Sequence, residues 1–281
     1  MLAAMRQAKI LEEVRRSGGA RVADLTAMLG VSDMTIRRDL ELMDRRGLLA
    51  KVHGGATAVD ATTAVEPTFE TKSLRETAEK EAIAARAATL VRPGMAVALT
   101  AGTTTWTLAR HLAEITDLTV VTNSLKVAEV LYDGNRPDRT VVLTGGLRTP
   151  SDGLVGPVAV QAIRSLHVDL LIMGVHGLDG KAGLTTPNLL EAETNRAMVE
   201  SAHRLVVVAD HTKWGVVGLS RIAPLSAVDT LLIDDRLDAA ATEAIAGQVR
   251  DLILIPAGTV TGAPGDLPVD AHLHDRSTER R

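Results

Sequence analysis

The chain has 281 residues, of which 46% are hydrophobic and 23% charged, and its formal net charge at pH 7 is −4. This composition is typical of a globular protein with an aliphatic core, because only four residues are aromatic. With no cysteine, disulfides and thiolate metal sites are excluded. No apolar run is long enough to span a membrane and no signal peptide is evident, so we expect a cytoplasmic protein.

Charge is distributed unevenly along the chain. Residues 1–57 hold ten Lys or Arg and seven Asp or Glu, a formal charge of +3, and the remaining residues carry −7. A basic N-terminal domain on an acidic larger one favours a polyanionic partner for the first domain.

The first 30 residues predict two short helices. Residues 3–17 show helical periodicity and are followed by Gly18 and Gly19, which favour a helix end. Residues 22–29 form a second amphipathic stretch, and Gly30 is expected to terminate it. Residues 30–32 then fit the tight turn of a helix-turn-helix.

A third helix is predicted after Ser32, a favourable N-cap. Ile36, Leu40 and Met43 form one apolar stripe. The first two turns thus leave five other residues on the remaining faces: Asp33, Met34, Thr35, Arg37 and Arg38. This layout is typical of a recognition helix in the DNA major groove. The alternative is a solvated amphipathic helix with two incidental arginines.

A short hairpin is predicted after Gly47. Residues 48–53 alternate weakly, Gly54 and Gly55 turn the chain, and residues 56–58 return. A hairpin in this position would be the wing of a winged helix-turn-helix, with Lys51 and His53 near the DNA backbone.

The segment LGVSDMTIRRDLELMDRRGLLAKVHGGA resembles the N-terminal module of DeoR-type bacterial transcriptional regulators. The resemblance covers nearly all of residues 6–57. It implies sequence-specific binding of double-stranded operator DNA, usually by a repressor, with Ser32, Thr35, Arg37 and Arg38 at the DNA. We assign residues 1–57 to this domain, 58–65 to a linker, 66–256 to a second domain and 257–281 to a disordered tail.

Continuous apolar runs of strand length alternate with helical patterns in the second domain. Runs without polar alternation indicate strands covered on both faces, and the alternation with helices predicts a doubly wound, mostly parallel α/β sheet. The predicted strands are 95–100, 118–123, 140–144, 168–175, 205–210 and 230–234, with a further edge strand at 252–256. The predicted helices are 80–91, 105–112, 124–132, 158–166 and 190–202.

Ligands bind at the carboxyl ends of strands in such sheets. The first strand ends in Gly102, Thr103, Thr104 and Thr105, which open a helix. Backbone amides at a helix N-terminus, together with hydroxyl donors, suit a phosphate. The alternative is a threonine-rich helix cap without a ligand.

Polar residues or glycines follow the next strands as well: Asn123 and Ser124, Gly145 and Gly146, His176, and Asp210 with Lys213. Each has a structural alternative, namely a helix cap for Asn123, a hydrogen-bonded structural role for His176 and a solvated side chain for Lys213. Together they predict a polar rim that suits a phosphorylated ligand.

The same region resembles the C-terminal sensor domain of DeoR regulators. The matching segments are EKEAIA with Lys80, the GTTT loop, VVTNS, LTGG, LVGP, AGLTTPN up to Glu191, and Asp210 with Lys213. The resemblance implies a fold related to ribose-5-phosphate isomerase, and a phosphorylated sugar or similar metabolite as effector. It also implies a homo-oligomer, either a dimer or a tetramer, that reads paired half-sites.

A sugar-phosphate isomerase fused to a DNA-binding module is the alternative. Isomerisation needs a carboxylate that moves a proton between carbons and a cation or acid that polarises the carbonyl, and such groups could come from Glu191 or Glu193, Asp210 and Lys213. However, the related isomerases carry an acidic run after the fourth strand, where this chain has GVHGL at residues 174–178. We therefore expect a binding protein without catalytic residues, cofactor or metal. A purely architectural DNA binder, the third possibility, would show no response to a ligand.

Overall fold

The computed structural model describes residues 2–17, 19–46, 48–52, 54–57, 69–132 and 136–256. His53, the predicted linker at 58–65 and the predicted tail at 257–281 lie outside the described residues.

The N-terminal domain is a winged helix-turn-helix, as predicted. Its described elements are α1 (Ala3–Ser17), β1 (Gly19–Arg21), α2 (Val22–Leu29), α3 (Asp33–Arg45), β2 (Ala50–Val52) and β3 (Gly55–Thr57). The strands pair antiparallel in the order β1-β3-β2, so β2 and β3 form the wing. The predicted stripe of α3 is in the core, because Ile36, Leu40 and Met43 are at most 1% exposed.

Asp39 is buried on the inner side of α3, where a polar residue was not expected. Its carboxylate accepts hydrogen bonds from Arg6 Nε at 2.5 Å and from Gln7 Nε2 at 2.9 Å. A buried carboxylate needs such partners to offset its lost hydration. Because both donors belong to α1, they fix α3 against α1 and determine which face of α3 remains exposed.

The second domain is a doubly wound α/β domain. Its described helices are α4 (Phe69–Ser73), α5 (Thr77–Ala88), α6 (Thr103–Leu112), α7 (Leu125–Leu131), α8 (Pro157–Arg164), α9 (Leu189–Glu200) and α10 (Ala239–Ala246). Its described strands are β4 (Ala96–Leu99), β5 (Leu118–Thr122), β6 (Arg139–Leu143), β7 (Leu147–Arg148), β8 (Leu154–Val155), β9 (Leu170–Gly174), β10 (Gly177–Asp179), β11 (Gly183–Thr186), β12 (Leu205–Ala209), β13 (Ser220–Ala223), β14 (Thr230–Asp234) and β15 (Asp251–Ile255). None of the described helices is both long and apolar enough to cross a membrane.

Seven of these strands form one parallel sheet in the order β15-β14-β12-β9-β4-β5-β6. Both faces are covered, as the continuous apolar runs predicted. Val206 and Val208 of β12 pack in the layer that includes α5, α6 and α7, whereas Val207 packs in the layer that includes α8, α9 and α10. Because all seven strands are parallel, their carboxyl ends lie at the same end of the sheet.

Several short elements were not predicted. A separate antiparallel sheet has the order β10-β11-β13, and β7 pairs with β8 in a two-stranded hairpin. Two glycines allow the loop before β13 to lie close against neighbouring backbone. A Cβ on Gly177 would lie 2.1 Å from the Val216 carbonyl oxygen, and one on Gly218 would lie 2.5 Å from the Thr186 carbonyl carbon.

The buried stripe of α3 yields a stability prediction. Leu40→Ala removes a side chain that is 1% exposed and leaves a cavity, so we expect it to destabilise the N-terminal domain by about 2–5 kcal/mol. Met34→Ala on the same helix, where the side chain is 75% exposed, should change stability by less than about 0.5 kcal/mol. Hydrogen exchange of α3 peptides in the full chain measures both. Equal protection in the two variants would contradict the assigned core.

Candidate functional site

The N-terminus of α3 presents the predicted DNA-contacting residues on an ordered first turn. Ser32 is the N-cap, and its Oγ accepts a hydrogen bond from the Thr35 amide at 3.3 Å. The two hydroxyls, Ser32 Oγ and Thr35 Oγ1, lie 2.8 Å apart. The cap therefore fixes both hydroxyls at the end of the helix that a recognition helix directs toward base edges.

The remaining predicted residues of α3 face outward. Met34 is 75% exposed, and Arg38 is exposed. Arg37 Nε lies 3.0 Å from Asp33 Oδ2 in an exposed ion pair one turn apart. Since exposed ion pairs are weak, a DNA phosphate or base can replace Asp33 as the partner of this arginine.

Lys51 on the wing is held toward α3. Its Nζ lies 2.6 Å from Glu41 Oε1, and its amide donates to Asp44 Oδ1 at 2.8 Å. The hydrogen bond from Lys51 lowers the pKa of Glu41 below its ordinary value. His53, the other predicted wing residue, lies outside the described residues.

A cavity of about 290 Å³ lies at the carboxyl ends of the central strands of the second domain. Its wall combines the ends of β4, β9 and β12 with the start of α6 and the segment before α5. The lining residues are Lys72, Arg75, Glu76, Lys80, Ala101, Gly102, Thr103, Thr104, Gly174, Val175, His176, Thr186, Pro187, Glu191, Val208, Ala209, Asp210, Thr212, Lys213 and Val216.

The threonine-rich loop at the start of α6 supplies one wall. Thr103 and Thr104 line the cavity together with Gly102. Thr105 is different, because its side chain is wholly buried and its Oγ1 donates to the carbonyls of Thr100 at 2.7 Å and Gly102 at 3.0 Å. Two of the three predicted threonines therefore line the cavity, and the hydroxyl of the third stabilises the turn beneath them.

Lys80 is a buried cation in this wall. It is 5% exposed, and its Nζ donates to the carbonyl of Lys72 at 2.6 Å and to that of Arg75 at 2.5 Å. Burial lowers the pKa of Lys80 to about 8, against the opposing attraction of Asp210. Lys213 is close enough to lower it further. An anion in the cavity would thus meet two ammonium groups near a helix N-terminus.

Acidic and hydroxyl groups occupy other parts of the wall. Asp210 is 1% exposed and accepts hydrogen bonds from the amide and the hydroxyl of Thr212. Burial opposes its ionisation, but Lys213, the Thr212 hydroxyl and Lys80 together hold the pKa of Asp210 below its ordinary value. Thr186 Oγ1 donates to Glu191 Oε2 at 2.7 Å. These oxygens are suitable acceptors for ligand hydroxyls.

Besides Thr105, four predicted effector residues do not line the cavity. Asn123 Oδ1 accepts from the Ala101 amide and its Nδ2 donates to the Leu154 carbonyl, while Ser124 caps α7. Gly145 and Gly146 adopt left-handed φ angles of 71° and 122°. A Cβ on Gly146 would lie 2.5 Å from the Val155 carbonyl oxygen. These four residues follow β5 and β6, the last two strands on one side of the sheet. The β7–β8 hairpin packs against the carboxyl ends of these two strands.

Sequence reasoning also missed part of the wall. Lys72, Arg75 and Glu76 precede α5 and follow no strand, so a search of strand ends could not find them. Thr186 and Thr212 also line the cavity and were not selected. Of the predicted effector residues outside the threonine loop and Lys80, the structure brings together four in the cavity: His176, Glu191, Asp210 and Lys213. Within the described residues, no group of three or more His, Asp or Glu side chains could hold a metal ion.

Two family models match the chain and together cover most of it. One, described as the DeoR-like helix-turn-helix domain, matches residues 6–62, and the other, the DeoR C terminal sensor domain, matches residues 75–235.

Curated relatives match along nearly their whole length. The HTH-type transcriptional regulator GlpR of Haloferax volcanii is 40% identical over 246 residues, which is 87% of this chain and 95% of that protein. The HTH-type transcriptional regulator GolR of Listeria innocua is 36% identical and covers 84% of this chain and 92% of its own. The transcriptional repressor AccR of Agrobacterium fabrum is 36% identical over 82% of this chain and 88% of its own.

Solved structures resemble the chain only weakly. Ribose 5-phosphate isomerase A of Methanocaldococcus jannaschii has a TM-score of 0.34 at 17% identity and covers 48% of this chain and 53% of its own. The translation initiation factor eIF-2B of Pyrococcus horikoshii has a TM-score of 0.41 at 14% identity and covers 80% and 94% respectively. Likenesses at this level support no inference about function.

The buried ammonium of Lys80 yields a pH prediction. Below pH 8 Lys80 is charged and attracts an anion, and above it the neutral form prevails. Sulfate keeps its charge over this range, so its affinity for the full chain should fall by about tenfold between pH 7 and 9 if only the charged form binds. Isothermal titration calorimetry measures this dependence.

Two variants control the pH experiment. Lys80→Met should weaken sulfate binding and flatten its pH dependence, whereas Lys181→Met, an exposed lysine outside the cavity lining, should preserve both. Sulfate affinity that is independent of pH in the wild type would contradict the role given to Lys80.

Proposed function

The chain belongs to the DeoR family of transcriptional regulators, and on that premise we propose that it is a repressor of carbohydrate-metabolism genes controlled by a phosphorylated sugar. The effector binds the cavity of the second domain, and the first domain binds operator DNA. In this proposal the effector-free protein represses, and effector binding releases it from the operator.

The exposed first turns of α3 support the DNA-binding half of the proposal. Arg37 and Arg38 are exposed beside the capped hydroxyls of Ser32 and Thr35. Arginine can donate two hydrogen bonds to a guanine edge in the major groove. Lys51 lies on the adjacent wing, where a cation contacts phosphate without reading sequence.

The buried ammonium of Lys80 is the observation that carries the effector half. A lysine that is 5% exposed, at the base of a cavity that Lys213 and the first turn of α6 also line, favours an anionic ligand. Thr103 and Thr104 add hydroxyl donors. The carboxylates of Asp210 and Glu191 would accept hydrogen bonds from sugar hydroxyls. A cavity of about 290 Å³ suits a small metabolite rather than a dinucleotide.

Binding, not turnover, is the proposed activity of this cavity. The relatives are named as regulators and repressors. In addition, β9 ends in the sequence GVHGL at residues 174–178, where the isomerases that this domain resembles carry an acidic run. Incubation with ribose 5-phosphate, with ribulose 5-phosphate as the measured product, separates regulator from isomerase. Sustained turnover by the purified protein would favour the enzyme.

We further propose a cytoplasmic homo-oligomer, a dimer or a tetramer, assembled through the second domain. Regulators with one recognition helix in each protomer read two half-sites with two protomers. Sedimentation of the full chain on its operator measures the stoichiometry, and a monomer on the DNA would contradict this assembly.

The first functional prediction separates base reading from phosphate contact. Arg38→Ala should cost about 1–3 kcal/mol of operator binding and relax the preference at one base pair, if the arginine contacts a guanine edge. Lys51→Ala should weaken binding to all sequences alike and make the salt dependence shallower. Titration against operators selected from random duplexes measures both. An unchanged base preference in Arg38→Ala and Arg37→Ala would contradict the recognition role of α3.

The second functional prediction concerns the threonine loop. The double change of Thr103 and Thr104 to Val keeps the side-chain shape and removes two hydroxyl donors. Since hydrogen bonds to a charged group are worth roughly 1.5–3 kcal/mol each, effector binding should weaken by on the order of a hundredfold or more. Operator affinity without effector should be unchanged, so the double variant should stay on the operator at effector concentrations that release the wild type.

Thr107→Val provides the matched control for this double change. Its hydroxyl donates to the Thr103 carbonyl at 3.0 Å one turn along α6 and does not line the cavity, so this variant should respond like the wild type. Sugar phosphates are titrated against a preformed protein–operator complex. Release of the double variant at the wild-type concentration would show that the effector's phosphate lies elsewhere.

A further inference from the structure

His211 interrupts the run of residues that line the cavity after β12. Asp210, Thr212 and Lys213 belong to the wall, but His211 does not. Residues His211–Lys213 form a single short 3-10 turn. A turn of this length has few hydrogen bonds of its own, so the direction of Lys213 depends on what fixes the turn from outside.

A buried carboxylate at the end of β14 supplies that attachment. Asp234 is completely buried, and its Oδ2 accepts a hydrogen bond from the His211 amide at 2.7 Å. Its Oδ1 lies 2.9 Å from His211 Nδ1, which is an ion-pair distance. Both oxygens of Asp234 thus contact the first residue of the turn.

The residues after Asp234 reach the opposite wall of the cavity. The Arg236 amide donates to Asp234 Oδ1 at 3.3 Å. The Arg236 guanidinium lies 2.7 Å from Glu79 Oε1 and 3.5 Å from Glu76 Oε2. Glu76 lines the cavity and has a left-handed backbone with φ of 45°. One corner of the fold, at the end of β14, therefore contacts two walls of the cavity.

We propose that Asp234 is a positioning residue of the effector site, which holds the 210–213 turn so that Lys213 and Asp210 face the ligand. This inference rests on the proposed function, namely that the cavity takes a phosphorylated ligand. Asp234 does not touch the ligand and acts through His211.

Electrostatics alone predicts the opposite effect of removing this carboxylate. Loss of a negative charge near an anion site should tighten anion binding. Loss of a positioning contact should weaken it, because a displaced cation no longer meets the anion at the right distance. The sign of the change in affinity therefore separates the two roles.

Asp229, at the amino ends of the strands, offers a matched control for Asp234. Asp229 precedes β14, and its Oδ2 accepts a hydrogen bond from the Leu205 amide at 2.9 Å. This is the same kind of bridge from β14 to β12 that Asp234 makes, but it lies at the amino ends of the strands, away from the cavity.

The test is calorimetric titration of the full chain with inorganic phosphate at constant pH and ionic strength. Asp234→Ala should weaken phosphate binding by about tenfold, despite its lost negative charge. Asp234→Asn, which keeps an acceptor for the His211 amide, should bind as tightly as the wild type or more tightly. Asp229→Ala should not change phosphate affinity, and Lys213→Ala should weaken it.

The outcomes decide between the positioning role and the site itself. Phosphate binding by Asp234→Ala that equals or exceeds that of the wild type, while Lys213→Ala loses affinity, overturns the positioning role alone. Wild-type protein that binds no phosphate, or a Lys213→Ala variant that binds it normally, overturns the proposed phosphate site.

A second variant decides the matter if Asp234→Ala fails to fold, as judged by circular dichroism and operator binding. His211→Pro leaves Asp234 in place and removes the backbone amide donor to its Oδ2, together with the ring. It should weaken phosphate binding by about threefold or more, and affinity equal to that of the wild type overturns the proposal.

Discussion

Burial of the Lys80 ammonium is the constraint that shapes the cavity. An ammonium that is 5% exposed requires acceptors and a countercharge. The carbonyls of Lys72 and Arg75 accept its hydrogen bonds, and Asp210 supplies negative charge. To provide those carbonyls, the chain between α4 and α5 must lie across the ends of the sheet. The side chains of that segment enter the cavity wall as a consequence of this requirement.

Helix α3, the recognition helix of the proposed function, shows a similar division between buried and exposed charged groups. Asp39 is buried and paired with α1, which fixes the rotation of α3. Arg37 and Lys51 are paired with Asp33 and Glu41 at the surface. Surface pairs are screened and weak, so under the proposed function they keep the cations near the helix without preventing their exchange for DNA phosphates. The buried pair sets the geometry, and the exposed pairs remain exchangeable.

The parts of the fold that repeat a simple pattern could be predicted from sequence, and the parts that depend on distant contacts could not. Continuous apolar runs located all seven parallel strands to within two residues, because strands buried on both faces must be apolar throughout. Strands of two to four residues, such as β7, β10 and β13, are too short to show a period.

The cavity shows the same division. Thr103, Asp210 and Lys213 follow strands near the middle of the sheet, where strand ends converge, and could be predicted from that rule. Asn123 and Gly145 also follow strands, but β5 and β6 are displaced toward the edge and covered by the β7–β8 hairpin. The residues that line the cavity and those that do not are distinguished only by the order of the strands in the sheet, which the sequence does not reveal. Lys72 and Arg75 enter the cavity wall because their carbonyls accept the hydrogen bonds of Lys80, which is a tertiary contact.

Under the proposed function, the hydrogen bonds of Lys80 also bear on how a ligand could act on DNA binding. A ligand shifts an equilibrium only if it binds the two states differently, and the coupling is then reciprocal. An anion that accepts hydrogen bonds from Lys80 competes with the carbonyls of Lys72 and Arg75, which fix the segment beginning at Phe69. Phe69 packs edge-on against Trp106 of α6, with ring centroids 5.7 Å apart, and α6 carries Thr103 and Thr104 in its first turn. Ligand contacts at Lys80 and at the threonine loop therefore converge on the first described element after residues 58–68. If the ligand binds two states of the protein with different affinity, we expect the two states to differ at this element, α4, which follows the segment leading from the DNA-binding domain.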